Sequence, residues 1–397
     1  MPGTDRIAAI HAQLLHAGLD LSPAGVPGTP LIIVELDDFA TATPATVARA
    51  AGVLRESLPL TIGVLRSPSV RGIEPVLDAL TLTLTEESAQ RSVRPHREVV
   101  PVLDVDAALE QLTAAVAYAP QAALACGQLL RRTDGARTTS ALAAEAAVYS
   151  MLLSGNEFAR WLGQRDEARP ARASGVLEDM GPGGAWDAIG GSGPGDVSEV
   201  TGGADFGCSS GLGGDLVRMQ REGTRLSIVL NQPARRNALG VRLREELLSA
   251  LTVAEADPAI EAVALSGAGP VFCSGGDLDE FGAATDPVAA YLVRLDRAPW
   301  RVLDRVAERL TAHVHGACIG AGAEMAAFAS HIVAAPDTWF RFPEVAMGLI
   351  PGAGGTVSVP RRIGRWRAAW LMLTGTPLSA RKALRWGLVD EVTGTAG

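Results

Sequence analysis

Two glutamates, Glu324 and Glu344, stand 20 positions apart (344 − 324), each within a segment of small residues and glycines. Glu324 lies in HGACIGAGAEMAAFAS (residues 315–330), which runs into an apolar helix expected to begin near Gly322 or Ala323. Gly320, Ala321 and Gly322 let a backbone or a ligand approach closely, and a helix N-terminus favours developing negative charge. Taken alone, such a glutamate is more commonly a carboxylate that complements the helix dipole. Glu344 follows Pro343 in FRFPEVAMGLIPGAGGT (residues 340–356), between apolar neighbours whose burial would raise its pKa. In FCSGGDLDEF (residues 272–281), paired glycines leave the backbone N–H groups of Ser274 and its neighbours free to point at a ligand, with a helix start expected at Asp277. Taken alone, Ser-Gly-Gly-Asp is also an ordinary turn sequence.

Other chemistries fit less well. GAGGT lacks the lysine and the length of a phosphate-binding P-loop. Ser274 is no nucleophile candidate, because GxSxG is absent. Cys273 and Cys318 adjoin the glycine-rich segments, yet no base partner is evident and small thiols commonly just pack. His313, His315 and His331 read as structural histidines. The 4 cysteines, Cys126, Cys208, Cys273 and Cys318, are scattered with no CxxC pair, which argues against a zinc site or a disulfide framework and suits a reducing cytoplasm.

The elements that position these residues alternate between strand and helix. LIIVEL (31–36) is a strand, residues 44–57 a helix and LTIGVL (60–65) a second strand, followed by helical stretches over 108–130 and 139–162. Residues 170–214 are so rich in Gly, Ser and Asp that they read as a linker between domains. Beyond it RLSIVLNQP (225–233) is a strand, residues 241–256 a helix and EAVALSG (261–267) a buried strand. The pattern gives a layered α/β class built on βαβ units.

A chain of 397 residues exceeds the usual single-core size, so two domains, each with its own core, are expected. The first 19 residues read as an amphipathic helix rather than a signal peptide, and every apolar run is too short to span a membrane. A net charge of −9 disfavours nucleic acid as a partner. The only lysine is Lys382, so a ligand phosphate would be met by arginine or by backbone N–H.

Together, the motifs of residues 272–281, 315–330 and 340–370 closely resemble the crotonase (enoyl-CoA hydratase/isomerase) superfamily, over about residues 215–392. The resemblance implies a ββα spiral core in which two backbone N–H groups hold a thioester oxygen. By position those donors fall on Ser274 and Ala321, and the two glutamates of enoyl-CoA hydratases fall on Glu324 and Glu344. It further implies reversible addition of water to a 2-enoyl-CoA. Glu324 would mainly activate water, Glu344 would mainly transfer the proton at Cα, and the backbone pair would stabilise an enolate-like oxyanion. Coenzyme A would enter as part of the substrate, with no separate cofactor and no metal. It would be held by the RNALG turn through Arg236, Ala238 and Leu239, and flanked by Gly276, Asp277 and Leu278, with Arg235 or Arg236 able to meet phosphate. Asp279, Glu280 and the loop over 282–296 would shape the acyl pocket. An acyl group on a carrier protein's phosphopantetheine arm is an equivalent substrate. Enoyl-CoA isomerisation and a weakly catalytic CoA-binding scaffold are the alternatives.

One departure stands out. The superfamily usually carries a helical tail after the equivalent of GLVDEV (387–392). Here VDAALEQLTAAVAYAPQAALACGQLL and LAAEAAVYSMLLSGNEFARWLGQR, ahead of the linker, look like that tail. Residues 1–169 are therefore expected to be a degenerate crotonase half-copy without catalytic residues. Residues 215–397 would be the catalytic core, in a cytoplasmic homo-oligomer.

Overall fold

The computed structural model describes residues 18–67, 71–87, 96–168 and 215–394. The linker expected over 170–214 lies outside them, as does nearly all of the helix expected over residues 1–19.

The N-terminal module opens with four parallel strands, β1 (Leu31–Glu35), β2 (Leu60–Leu65), β3 (Leu82–Glu86) and β4 (Val99–Val102), adjacent in that order. Helix α1 (Pro44–Glu56) connects the first pair and α2 (Glu74–Ala79) the second. Every residue of β2 is buried, as in a parallel strand covered on both faces. The sequence expectation covers only the first two of these strands; β3 (LTLTE) and β4, which carries Pro101, are additions. In the fold, the hydroxyls of Thr61 in β2 and Thr81, just before β3, accept hydrogen bonds from each other's amides at 3.2 and 3.1 Å. Strand β4 is an edge, where a residue lacking N–H is tolerated.

Four helices follow: α3 (Val105–Tyr118), α4 (Pro120–Thr133), α5 (Thr138–Leu152) and α6 (Asn156–Ala168). Both expected helical stretches therefore divide. Pro120 cannot donate to extend α3, and the Gly155 amide closes a turn on Leu152 O at 2.9 Å.

In the second half, β5 (Val217–Glu222) and β6 (Arg225–Leu230) form a hairpin, followed by α7 (Val241–Ala256) and β7 (Ala262–Gly267). Then come α8 (Pro287–Asp296), α9 (Pro299–Val306), β8 (Leu310–Val314), β9 (Ala317–Ile319), α10 (Ala321–Ala326), β10 (His331–Ala334) and β11 (Trp339–Arg341). The chain continues with α11 (Gly355–Ile363), α12 (Arg365–Thr374), β12 (Leu378–Ser379), α13 (Ala380–Trp386) and β13 (Glu391–Val392). Six strands make one sheet in the order β13-β10-β8-β7-β6-β5, parallel apart from the hairpin, and β12-β11-β9 make a second. The layered α/β class is as expected.

One apolar core runs through both halves, joining β2 to β4 and α3 to α6 with the sheets of the second half. A smaller cluster lies under α1 and α2. Helix α12 is the junction: Arg365 to Leu373 are all buried, and it packs on α3, α4, β3 and β4 as well as on α11. Its two arginines are satisfied from the N-terminal side. Arg365 donates to Leu80 O at 3.0 Å and pairs with Asp134 at 3.2 Å, while Arg367 donates to His96 O at 3.2 Å. The expectation of a separate core in each half gives way to a shared one. Among the described residues, no helix is long and apolar enough to cross a membrane.

Candidate active site

Asn237 organises one wall. It is fully buried with a φ of 54°, and its side chain accepts from Gln232 N at 2.8 Å while donating to Ala268 O at 2.9 Å and Phe272 O at 3.0 Å. These bonds pin the 236–240 turn against residues 272–278. There Leu239 N donates to Gly275 O at 2.7 Å and Asp277 N to Leu239 O at 3.2 Å. Arg236, Ala238, Leu239, Gly276, Asp277 and Leu278 are thereby gathered in one place. Replacing Asn237 with alanine should cost about 2–3 kcal/mol, because it strands a buried amide and buried carbonyls. Denaturant unfolding measures this, and a loss below about 0.5 kcal/mol would contradict the pinning role.

The same wall corrects three expectations. The Ser274 amide donates to Arg236 O at 3.0 Å, so it is not free to meet a ligand. The bridge between Leu239 and Gly276 uses the Gly275 carbonyl and the Asp277 amide, and leaves the N–H of Gly276 without a partner among the described residues. The free amide of this turn is thus two positions further on. Arg235, considered for phosphate, is engaged by Asp277 and Asp279 at 2.7 Å each. Asp277 caps a short 3-10 turn over Leu278–Glu280 rather than an α-helix.

The facing wall is the β9 to α10 turn, joined to the first by backbone β-pairing at Cys273 and Cys318, both of them free thiols. Gly320 turns the chain at a φ of 46°, and the helix starts at Ala321, slightly earlier than expected. As the first helical residue, Ala321 has no intrahelical acceptor for its N–H, which is unpartnered among the described residues. A Cβ on Gly320 would collide with Glu344 Oε1, so only glycine lets that carboxyl lie against the turn.

Glu324 is 1% exposed, and its Oε2 accepts the amides of Ala353 at 2.7 Å and Gly355 at 2.8 Å. Glu344 opens a 3-10 turn over Glu344–Met347, and its Oε2 is buried with no hydrogen-bond partner among the described residues. Burial pushes Glu344 up to about 8. Burial, followed by the charges of Glu344 and Glu145, holds Glu324 well above the usual carboxylate range. Neighbouring carboxyls that resist ionising together can serve as acid and base near neutral pH.

The remaining candidates separate from this site. His315 Nε2 lies 2.8 Å from Gly269 O, and His331 lies beside Asp390 and Glu391. Burial pushes the Cys273 thiol up to about 12, which makes it inert. Glu280, expected at the acyl pocket, instead accepts from Val241 N at 2.9 Å at the start of α7, and Asp279 pairs with Arg165 as well as Arg235. A cavity of about 200 Å³ does open at residues 282–287, with Gly282, Ala284 and Pro287 on one side. Its other side is N-terminal, with Leu153, Phe158 and Leu162. Sequence reasoning missed these contributions, and it missed Glu145 of α5, which is 1% exposed and reaches the same region. In an alanine-rich amphipathic stretch, nothing marks one carboxylate as inward-facing.

A family model described as "Enoyl-CoA hydratase/isomerase" matches residues 220–396. A 2,3-dehydroadipyl-CoA hydratase of Escherichia coli (strain K12) is 34% identical over 174 residues, which are 44% of this chain and 68% of that protein. A probable enoyl-CoA hydratase of Rhizobium meliloti (strain 1021) is 36% identical over 42% of this chain, and the match spans 63% of its own length. Among solved structures, an enoyl-CoA hydratase from Thermoplasma volcanium GSS1 aligns with a TM-score of 0.41 and 31% identity, covering 46% of this chain and 73% of that one.

Proposed function

The chain belongs to the enoyl-CoA hydratase/isomerase family, and from that premise we propose that it adds water reversibly to a 2-enoyl-CoA thioester. The observation that carries the reading is the Glu344 carboxyl. It is buried beside Glu324, with an Oε2 that nothing in the described chain engages. Such a group is poised to exchange a proton with something else.

In the proposed reaction the thioester oxygen lies between the N–H groups of Gly276 and Ala321, which stabilise negative charge as it develops there. Glu324, oriented by its two amide bonds, takes a proton from water as the water oxygen bonds to Cβ. Glu344 delivers its proton to Cα, and the enolate collapses to the 3-hydroxyacyl thioester. The turn at 236–239 and residues 276–278 would hold the CoA portion, and the cavity at 282–287 would receive the acyl chain. An acyl group on a carrier protein's phosphopantetheine arm presents the same thioester. The N-terminal module is proposed as a degenerate half-copy whose helices cover the catalytic core.

The test is loss of the enoyl-thioester absorbance of crotonyl-CoA and of a longer 2-enoyl-CoA, and we expect turnover of at least one. A chain inert toward every 2-enoyl-CoA, yet able to shift a 3-enoyl-CoA into conjugation, would replace hydration by isomerisation.

A further inference from the structure

Glu145 lies on α5, in the N-terminal module, and its carboxyl crosses to the turn that leads into α11. It accepts from Gly354 N at 2.7 Å, Thr356 N at 3.0 Å and Thr356 Oγ1 at 2.6 Å. The interleaved amides of Ala353 and Gly355 go to Glu324 Oε2. Four successive amides therefore alternate between two carboxyls, one in the proposed reaction and one from the other half of the chain. Consecutive peptide planes share a Cα, so a tilt that releases Gly354 or Thr356 also swings the amides that hold Glu324. There is no slack to absorb such a tilt. A Cβ on Gly355 would lie 2.6 Å from Glu324 Oε2, and Tyr149, one turn along α5, packs against Gly352. Arg294 closes the far side, donating to Gly352 O at 2.8 Å with its guanidinium 3.5 Å from the Tyr149 ring centroid.

We infer that Glu145 is the positioning residue for Glu324: by fixing the 353–356 turn it holds the water-activating carboxyl in place, so the active site is complete only with the N-terminal module. Its kinetic consequence rests on the hydratase reading above; its structural consequence does not. The groups facing Glu145 are Tyr149 on its own helix, Cys126 on α4, Arg294 on α8, Thr356 on α11, and the two glutamates Glu324 and Glu344. The charge of Glu145 raises the pKa of both glutamates. Its removal must therefore move their titration to lower pH.

The experiment compares the full-length chain with Glu145→Gln and Glu145→Asp. It measures kcat and KM across the pH range, and hydrogen exchange of the amides of residues 353–356. Glutamine offers one carbonyl where the carboxylate offers two oxygens. We expect about 10- to 100-fold lower kcat with KM within about threefold, and an alkaline limb shifted to lower pH. Exchange at the turn should be at least about tenfold faster. Aspartate, which keeps the charge, should recover part of kcat and return the limb toward wild type. Unchanged exchange in Glu145→Gln would overturn the inference. So would faster exchange with the kcat–pH profile intact, since a merely structural residue behaves that way. If Glu145→Gln does not fold, Thr356→Val removes one of the three bonds and should give the same changes in smaller measure; no change in it counts against the inference. If the wild type proves inert on every 2-enoyl-CoA, the hydratase reading fails separately, and exchange alone decides whether Glu145 holds the turn.

Discussion

Glu344→Gln is expected to lower kcat by about 10²- to 10⁴-fold, the usual cost of removing a positioned proton donor, while the chain stays folded. Glutamine fills the same space beside Gly320 but carries no transferable proton. Glu324→Gln should lose a comparable factor, since an amide cannot take the proton of water. The stability of these variants carries a second signature whose sign follows from linkage. The Glu344 carboxyl titrates near 8 in the fold and near the ordinary carboxylate value when unfolded, so the folded chain keeps a proton that the unfolded chain releases. That contribution to stability is full below the unfolded pKa and is lost as pH rises toward 8. The Tm of Glu344→Gln relative to wild type should therefore rise with pH, and be greatest on the alkaline side. An inactive variant with a flat difference would mean that the carboxyl is not held protonated. A fully active variant would end the two-glutamate mechanism.

Removing the N-terminal module should do more than slow the reaction. A polypeptide of residues 215–397 alone is expected to be insoluble, or to lack a cooperative thermal transition. Helix α12 would lose the partners on one side, exposing parts of Trp366, Trp370, Leu371 and Leu373, each of which contributes about 1.5–3 kcal/mol when fully buried. Arg365 and Arg367 would lose the carbonyls of Leu80 and His96. Typical domain stability is only about 5–15 kcal/mol, so losses of this kind leave nothing in reserve. Size-exclusion chromatography and thermal unfolding provide the check. A monodisperse truncated chain with normal hydration would show that the second half is a self-sufficient domain and that the N-terminal module is only attached to it.

Much of the site could be read from local sequence. The spacing of Glu324 and Glu344, the glycines at 275, 276 and 320 and the apolar surroundings of Pro343-Glu344 are short-range patterns whose chemistry follows from residue type. The α7 helix and the strands flanking it were similarly plain, because a 3.6-residue or two-residue period reports a single buried face. Strands β3 and β4 were not, since the burial of a threonine-rich strand and the place of a proline at a sheet edge are fixed only by what packs around them.

What the linear sequence determined by itself was the family and the α/β class, with Glu324 and Glu344 as the candidate pair, because each of these resides in contiguous residues. The tertiary structure alone decided which amide is free. Ser274 and Gly276 are two positions apart in one turn, and only the register of the bridge to Leu239 shows that the first is paired and the second is not. It alone also revealed that Glu145, more than two hundred residues from Thr356, shares a run of amides with Glu324. Hydrogen bonds form between groups that folding brings within about 3 Å, and separation along the chain carries no record of that distance.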